Sequence, residues 1–341
     1  MSAIELEKQR VTWYRTPLPR EVLAALNQRS DFLAWLQTLG YLGLLALSGG
    51  AAVYAVGRAH RLAVLLILFV HGTFFAFMLN AFHEFVHQSV FKTKWLNTFF
   101  LYLFSFFDWI NPVMFWASHQ EHHKFTLHET YDMEVVLPQE ITLKSFLRFA
   151  LVNPWDLWFR LKMQLRLSLG RVDGRWEEYL FPPSAVALRR GLFNWARVML
   201  IGHALIIVVS LYFGWWMVPI VTTFGPFYGG CLQFLCNNTQ HVGLQGDVND
   251  YRLNTRSFRT HPFIQFLCWH MNYHIEHHMF AAVPCYRLGQ PHAAIAHDLP
   301  PTPVGLGQTW KEILVILKQQ KVDPTYEYVA PLPTRQAVPN M

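Results

Sequence analysis

The strongest constraint on the fold is a pair of apolar runs, 32–56 and 62–82, separated only by the polar turn Gly57-Arg58-Ala59-His60-Arg61. Each run is long enough to cross a hydrocarbon core of about 30 Å, which takes about 20 helical residues. A second pair, 192–213 and 215–236, turns near Gly214. Composition agrees: 52% of the chain is hydrophobic and only 15% is charged, against roughly 25% charged in an ordinary soluble domain. The expectation is one all-α integral membrane domain over 1–341, with four transmembrane helices in two hairpins. The length alone would also allow two soluble domains, but the apolar runs argue against them.

Three histidine clusters lie beside these runs: His83-Glu-Phe-Val-His87, His119-Gln-Glu-His122-His123 and His274-Ile-Glu-His277-His278. Spacings of three and four put the imidazoles of each cluster on one helical face. Neutral imidazole suits iron, zinc and copper, and leaves a metal more electron-poor than carboxylate or thiolate does. The adjacent pair in each His-x-x-His-His box can serve two different ions. Eight such donors exceed what one ion needs, so two metals in a shared histidine cage are expected. The isolated histidines His60, His71, His203, His261, His292 and His297 are read instead as structural residues satisfied by hydrogen bonds.

The apolar stretch 95–116 separates the first two clusters. Its twenty-two residues can cross a membrane once, whereas going over and back needs roughly 40. Asp108, Asn111 and Pro112 interrupt it, so it is read as a re-entrant or interfacial helix. Residues 142–169 mix aromatic and basic side chains and read as an amphipathic helix on the membrane surface, kinked or split at Pro154. The units expected are an N-terminal segment (1–31), the first hairpin (32–82), the first two clusters with interfacial helices (83–190), the second hairpin (191–236), a histidine-rich cap (237–321) and a Pro-rich tail (322–341), extended or disordered. Of the 28 lysines and arginines, only Arg58 and Arg61 fall in the far-side turns. That bias places the active site and both termini in the cytosol. It also explains the +6 charge better than a nucleic-acid partner would, since no basic run is interleaved with aromatics. Cys231, Cys236, Cys268 and Cys285 form no Cys-x-x-Cys pair and read as reduced thiols. The polar first thirty residues lack the pattern of a signal peptide.

Box order, box spacing, the two hairpins and the phrase Asn272-Tyr-His-Ile-Glu-His-His278 together resemble the membrane fatty acid desaturase/hydroxylase superfamily over most of the chain. The resemblance implies a non-haem di-iron site, cycling between Fe2+ and Fe3+, that uses molecular oxygen as co-substrate to attack an unactivated C–H bond. It carries over as metal ligands onto His83, His87, His119, His122, His123, His274, His277 and His278. Asn237-Asn-Thr-Gln-His241 matches a further phrase of stearoyl-type members, which implies His241 as ninth ligand and Asn237 as a group holding metal-bound water. His128 and His270 lie beside the boxes as candidates for hydrogen bonding to the ligands. Asp132 and Glu134 can orient imidazoles or cap the next segment. No haem domain of the His-Pro-Gly-Gly kind is fused to the chain. Electrons are therefore expected from an external ferredoxin- or cytochrome-type donor and its reductase. The phrases around His123–His128 and Glu134–Pro138 look most like a bacterial branch that includes dihydrorhizobitoxine desaturase.

The expected activity is oxygen-dependent insertion of a double bond into an acyl chain or other lipid-like substrate held at the bilayer. Hydroxylation is the alternative within the same superfamily. His83-Glu84-x-x-His87 is also a literal zinc-metalloprotease signature, with Glu84 as general base, but that reading leaves two boxes without a role. A metal transporter would need polar groups at mid-membrane, where only His71 and His203 fall.

Overall fold

The computed structural model describes residues 11–137, 139 and 141–333. It is helical throughout, and the described residues contain isolated bridges but no β-strand. Three helices are long and apolar enough to cross a membrane: Asp31–Ala55, Arg61–Val86 and Val186–Tyr212. The first is capped by Ser30, whose side chain accepts from the Leu33 N–H, the usual way to satisfy one orphan donor. Leu47, Leu65, Leu66, Ile201, Leu205 and Val208 are all exposed on these helices. Such a surface is stable in lipid and not in water, so this is a membrane protein.

The apolar stretch between the first two boxes forms two helices, Lys94–Phe107 and Pro112–Phe125, bent by 107°. Asn111 causes the restart. Its side chain accepts from the N–H groups of Val113 and Met114, and Pro112 occupies the first helical position. The bend matches the expected interruption. The amphipathic stretch is likewise split, into Leu143–Ala150 and Pro154–Ser168. Thr142 and Ser145 form a capping box at the first helix, and Asn153 caps the second. Leu143, Leu147, Trp155, Trp158 and Phe159 are exposed along the pair, as a helix lying on lipid requires.

The run 215–236 differs from the expected continuous fourth span. It breaks into Met217–Val221, a 3-10 turn at Gly225–Phe227 and Cys231–Asn237. Pro226 lacks an N–H and clashes with the carbonyl four residues back. Gly229 has φ of +70°, and a Cβ there would sit 2.6 Å from the Phe69 carbonyl oxygen. The broken segment therefore nestles against the Arg61–Val86 helix at a point where no side chain fits. Broken backbone at membrane depth needs partners. His71 Nε2 lies 2.8 Å from the Val221 carbonyl, His203 Nδ1 lies 3.1 Å from Thr223 Oγ1, and Trp109 Nε1 donates to the Thr223 carbonyl at 2.9 Å. The two mid-membrane histidines thus mend a broken segment.

The Pro-rich tail has no helix after Val322 among the described residues and is tied to the cap at its start. Tyr328 N donates to the Gly243 carbonyl at 2.8 Å and Gly246 N to Glu327 Oε1 at 2.9 Å. Residues 334–341 lie outside the described residues.

Candidate metal centre

All nine histidines named from the sequence converge. The ring nitrogens of His83, His87, His119, His123 and His277 lie within 4.8 Å of one another. A second group joins His122, His241 and His278. His274 adds to it, with Nε2 3.1 Å from His241 Nε2 and 3.2 Å from His278 Nε2. Adjacent histidines split between the groups: His122 from His123, and His277 from His278. Neighbours on a helix are about 100° apart, so one short helix feeds both groups.

Local structure aims each ring. The first box ends the Arg61–Val86 helix, the second ends Pro112–Phe125, and the third is the short helix His274–Met279. His241 sits on a turn held by buried Arg256, whose guanidinium donates to the carbonyls of Thr239 (2.7 Å) and Val242 (3.3 Å). Most Nδ1 atoms face away from the cage to a partner. His83 Nδ1 is 3.1 Å from Glu84, His119 Nδ1 2.7 Å from Glu134, and His122 Nδ1 2.8 Å from Asp132. His241 Nδ1 donates to the Asn254 carbonyl at 2.9 Å, and His278 Nδ1 lies 3.2 Å from Thr126 Oγ1. The Thr126 hydroxyl donates to the His122 carbonyl, which frees its oxygen to accept from His278.

These partners fix the chemistry of the inner nitrogens. A neutral imidazole has one donor and one acceptor. With Nδ1 donating outward, Nε2 carries a lone pair that points inward. His119 Nε2 lies 3.1 Å from His87 Nε2 and 3.0 Å from His123 Nε2, and His123 Nε2 lies 3.2 Å from His277 Nε2. Inward lone pairs packed this closely repel where no N–H lies between them, and a cation removes the conflict. Two imidazole nitrogens, each about 2.1 Å from one ion and at right angles, would be about 3.0 Å apart. The cage therefore fits metal ions in two places. Burial holds most of the rings neutral and ready to ligate: His274, His277 and His278 titrate well below the ordinary histidine range, and burial with the nearby His122 takes His241 down to about 3. His122 moves the other way, because Asp132 and Glu134 outweigh its burial and raise it.

Other sequence candidates fall elsewhere. Asp132 both orients His122 and caps the following turn, accepting from the N–H groups of Leu127, Glu134 and Val135. His128 bonds Asn249 Oδ1 through Nε2 at 2.9 Å, and His270 bonds Gln265 at 3.0 Å; neither of these bonds reaches a box histidine. The helix carrying Asn237 ends at that residue, and 238–241 form turns. The helical register linking Asn237 to His241 is thus lost, because Asn238 terminates the helix by capping back onto Phe234. Asn237 Oδ1 instead accepts from Asn80 Nδ2 at 3.1 Å, one turn before His83. Sequence reasoning missed Thr126, Asn254 and the bond between Glu276 and His292 Nδ1 at 2.6 Å. Only a donor or acceptor close to a box signals such groups. Glu84 is 1% exposed and engaged with His83, a poor position for the general base of a zinc protease.

The family model for fatty acid desaturase matches residues 59–310, a span that holds every cage histidine. The chain belongs to the fatty acid desaturase family, a family of oxidoreductases of the desaturase and hydroxylase type that act on lipids. No curated protein matches it, so the bacterial branch suggested by the phrases around His128 gains no support.

Proposed function

We propose that the protein is an oxygen-dependent desaturase that introduces a double bond into an acyl chain or related lipid-like substrate at a di-iron centre. The observation that carries this reading is the convergence of nine inward-facing imidazoles into two adjoining groups. His83, His87, His119, His123 and His277 would hold one ion. His122, His241, His274 and His278 would hold the other. When bound, the two irons supply oxygen activation and hydrogen abstraction. The chain's own residues set the stage for that chemistry. Glu84, Asp132 and Glu134 fix imidazole tautomers and balance the charge of the ions. Asn237 and Asn80 brace the helix end that carries His83. The cage is read as lying at the membrane boundary on the cytosolic side, as the charge bias suggests, where an acyl chain can reach it from the bilayer. Electrons come from an external iron–sulfur or haem carrier and its reductase.

The test is lipid and metabolite profiling of cells with and without the protein, followed by mass spectrometry of any lipid that changes. A product that has lost two hydrogens supports desaturation. A product that has gained one oxygen assigns hydroxylation to the same cage. Cleaved membrane peptides with unchanged lipids would overturn the oxygenase reading.

A further inference from the structure

An extended strap, residues 11–19, crosses the cap just outside the cage. Tyr14 N donates to the Asn249 carbonyl at 2.8 Å. The hydroxyls of Tyr14 and Thr16 both donate to Asp298 Oδ2 at 2.7 Å. The Arg252 guanidinium lies 4.0 Å over the Tyr14 ring and pairs with Asp298. These anchors directly follow one residue, Trp13. Its ring stacks on Tyr251 with centroids 4.2 Å apart and planes 9° from parallel. Tyr251 is 1% exposed. Its ring lies 5.3 Å from that of His278, and its hydroxyl donates to the His123 carbonyl at 3.1 Å. Trp13 itself is half-buried, so its outer edge meets solvent. A series of ring contacts thus runs from the surface to an imidazole of one histidine group, with a hydrogen bond to the backbone of the other.

We propose that Trp13 and Tyr251 are the electron-entry port of the metal centre: a soluble one-electron carrier protein docks over Trp13, and electrons tunnel through the stacked rings toward His278. The proposal rests on the di-iron reading. One electron leaves the carrier's iron centre, which is oxidised, and arrives at a ferric ion in the cage, which is reduced. Neither ring is oxidised, and no bond is made or broken in the protein. Tunnelling falls exponentially with distance, and His278 is 1% exposed, so a carrier at the surface needs a bridge of packed atoms. The occupant follows from where the rings lead: the series ends on His278, a histidine of the cage, so what docks at its outer end is a donor of single electrons. A partly exposed tryptophan on a rigid anchor is a usual hot spot of recognition.

The test uses the ferric holoenzyme in detergent, mixed under argon with reduced plant-type ferredoxin or with reduced methyl viologen, and follows the loss of ferric absorbance. Trp13→Ala should raise the ferredoxin concentration for half-maximal reduction rate about 10- to 30-fold, the loss expected for truncating an interface tryptophan. It should also lower the limiting rate, while iron content and viologen reduction stay at parental values. Trp13→Phe keeps a stacked ring and should stay close to the parent with ferredoxin. Equal ferredoxin rates for Trp13→Ala and the parent would overturn the port. So would loss of iron or equally slow viologen reduction in Trp13→Ala, which would make the ring only a cover. A parent whose metal neither reductant reduces would instead remove the di-iron reading, and the port with it.

Discussion

Replacing Asp132 by Asn probes how the second box is held. Its Oδ2 accepts from His122 Nδ1 at 2.8 Å and Leu127 N at 2.9 Å, and its Oδ1 from Glu134 N at 3.0 Å and Val135 N at 3.3 Å. Burial works against this charge, but His122 and the backbone amides outweigh it and hold the carboxyl below its ordinary range. An amide offers one oxygen and one NH2. Whichever way Asn turns, its NH2 meets two N–H donors. Each buried donor left without an acceptor costs about 1–3 kcal/mol, so Asp132→Asn should lose about 2–6 kcal/mol, a large share of a typical native stability of about 5–15 kcal/mol. Glu134→Gln is the control. Glu134 accepts from His119 Nδ1 at 2.7 Å and from the Ser118 hydroxyl at 2.6 Å. A serine hydroxyl also accepts, so Gln can keep its oxygen on His119 and donate its NH2 to Ser118. The expected cost is about 1 kcal/mol. Thermal unfolding and metal affinity, measured side by side, give the answer. Asp132→Asn should unfold at clearly lower temperature and bind metal about 10- to 100-fold more weakly, with Glu134→Gln near the parent. Equal losses in the two variants would refute the donor count.

Further outcomes follow from the same geometry. Single Ala replacements of His87, His122, His241 or His277 should abolish turnover while membrane insertion persists, whereas His60→Ala, which removes only a weak cap on Leu62 N at 3.3 Å, should keep activity; an active His122→Ala would remove the second box from the site. Single cysteines at the exposed positions Lys92 and Gln120 should label from the same face of the membrane, and labelling from opposite faces would contradict a shared cage. The metal-free protein should lose stability as pH falls. His241, His274, His277 and His278 are depressed in the folded chain, so below the unfolded value of about 6.5 the unfolded chain binds more protons. Each group then costs up to about 1.4 kcal/mol per pH unit, down to its folded value. A metal-free protein equally stable at pH 7.5 and 5.5 in thermal unfolding would contradict their burial.

The cage was legible because metal ligation needs particular residue types at helical spacing, and His83 to His278 carry that pattern openly. The bend at Asn111–Pro112 and the split at Pro154 were legible for the same reason, since proline and asparagine act locally. The fourth apolar run was not. Its hydrophobicity resembles that of a span, and its break at Gly225–Pro226 is tolerated because His71 and Trp109, distant in sequence, satisfy freed backbone carbonyls while His203 holds the Thr223 hydroxyl. The surroundings of Asn237 were hidden in a similar way, because its partner Asn80 and the groups that hold 238–241 as a turn, Arg256 and Asn254, are distant in sequence. Thr126 and Asn254 could not be read at all, because a backbone carbonyl or a lone hydroxyl leaves no pattern in sequence.

The most direct test of the central claim is metal counting with reconstitution. The purified protein is stripped of metal and reloaded with iron or with zinc, and bound ions and turnover are measured on the same sample. Two groups of converging imidazoles predict about two irons per chain, with turnover restored by iron together with a reductant and oxygen. One zinc per chain restoring full activity would contradict the account.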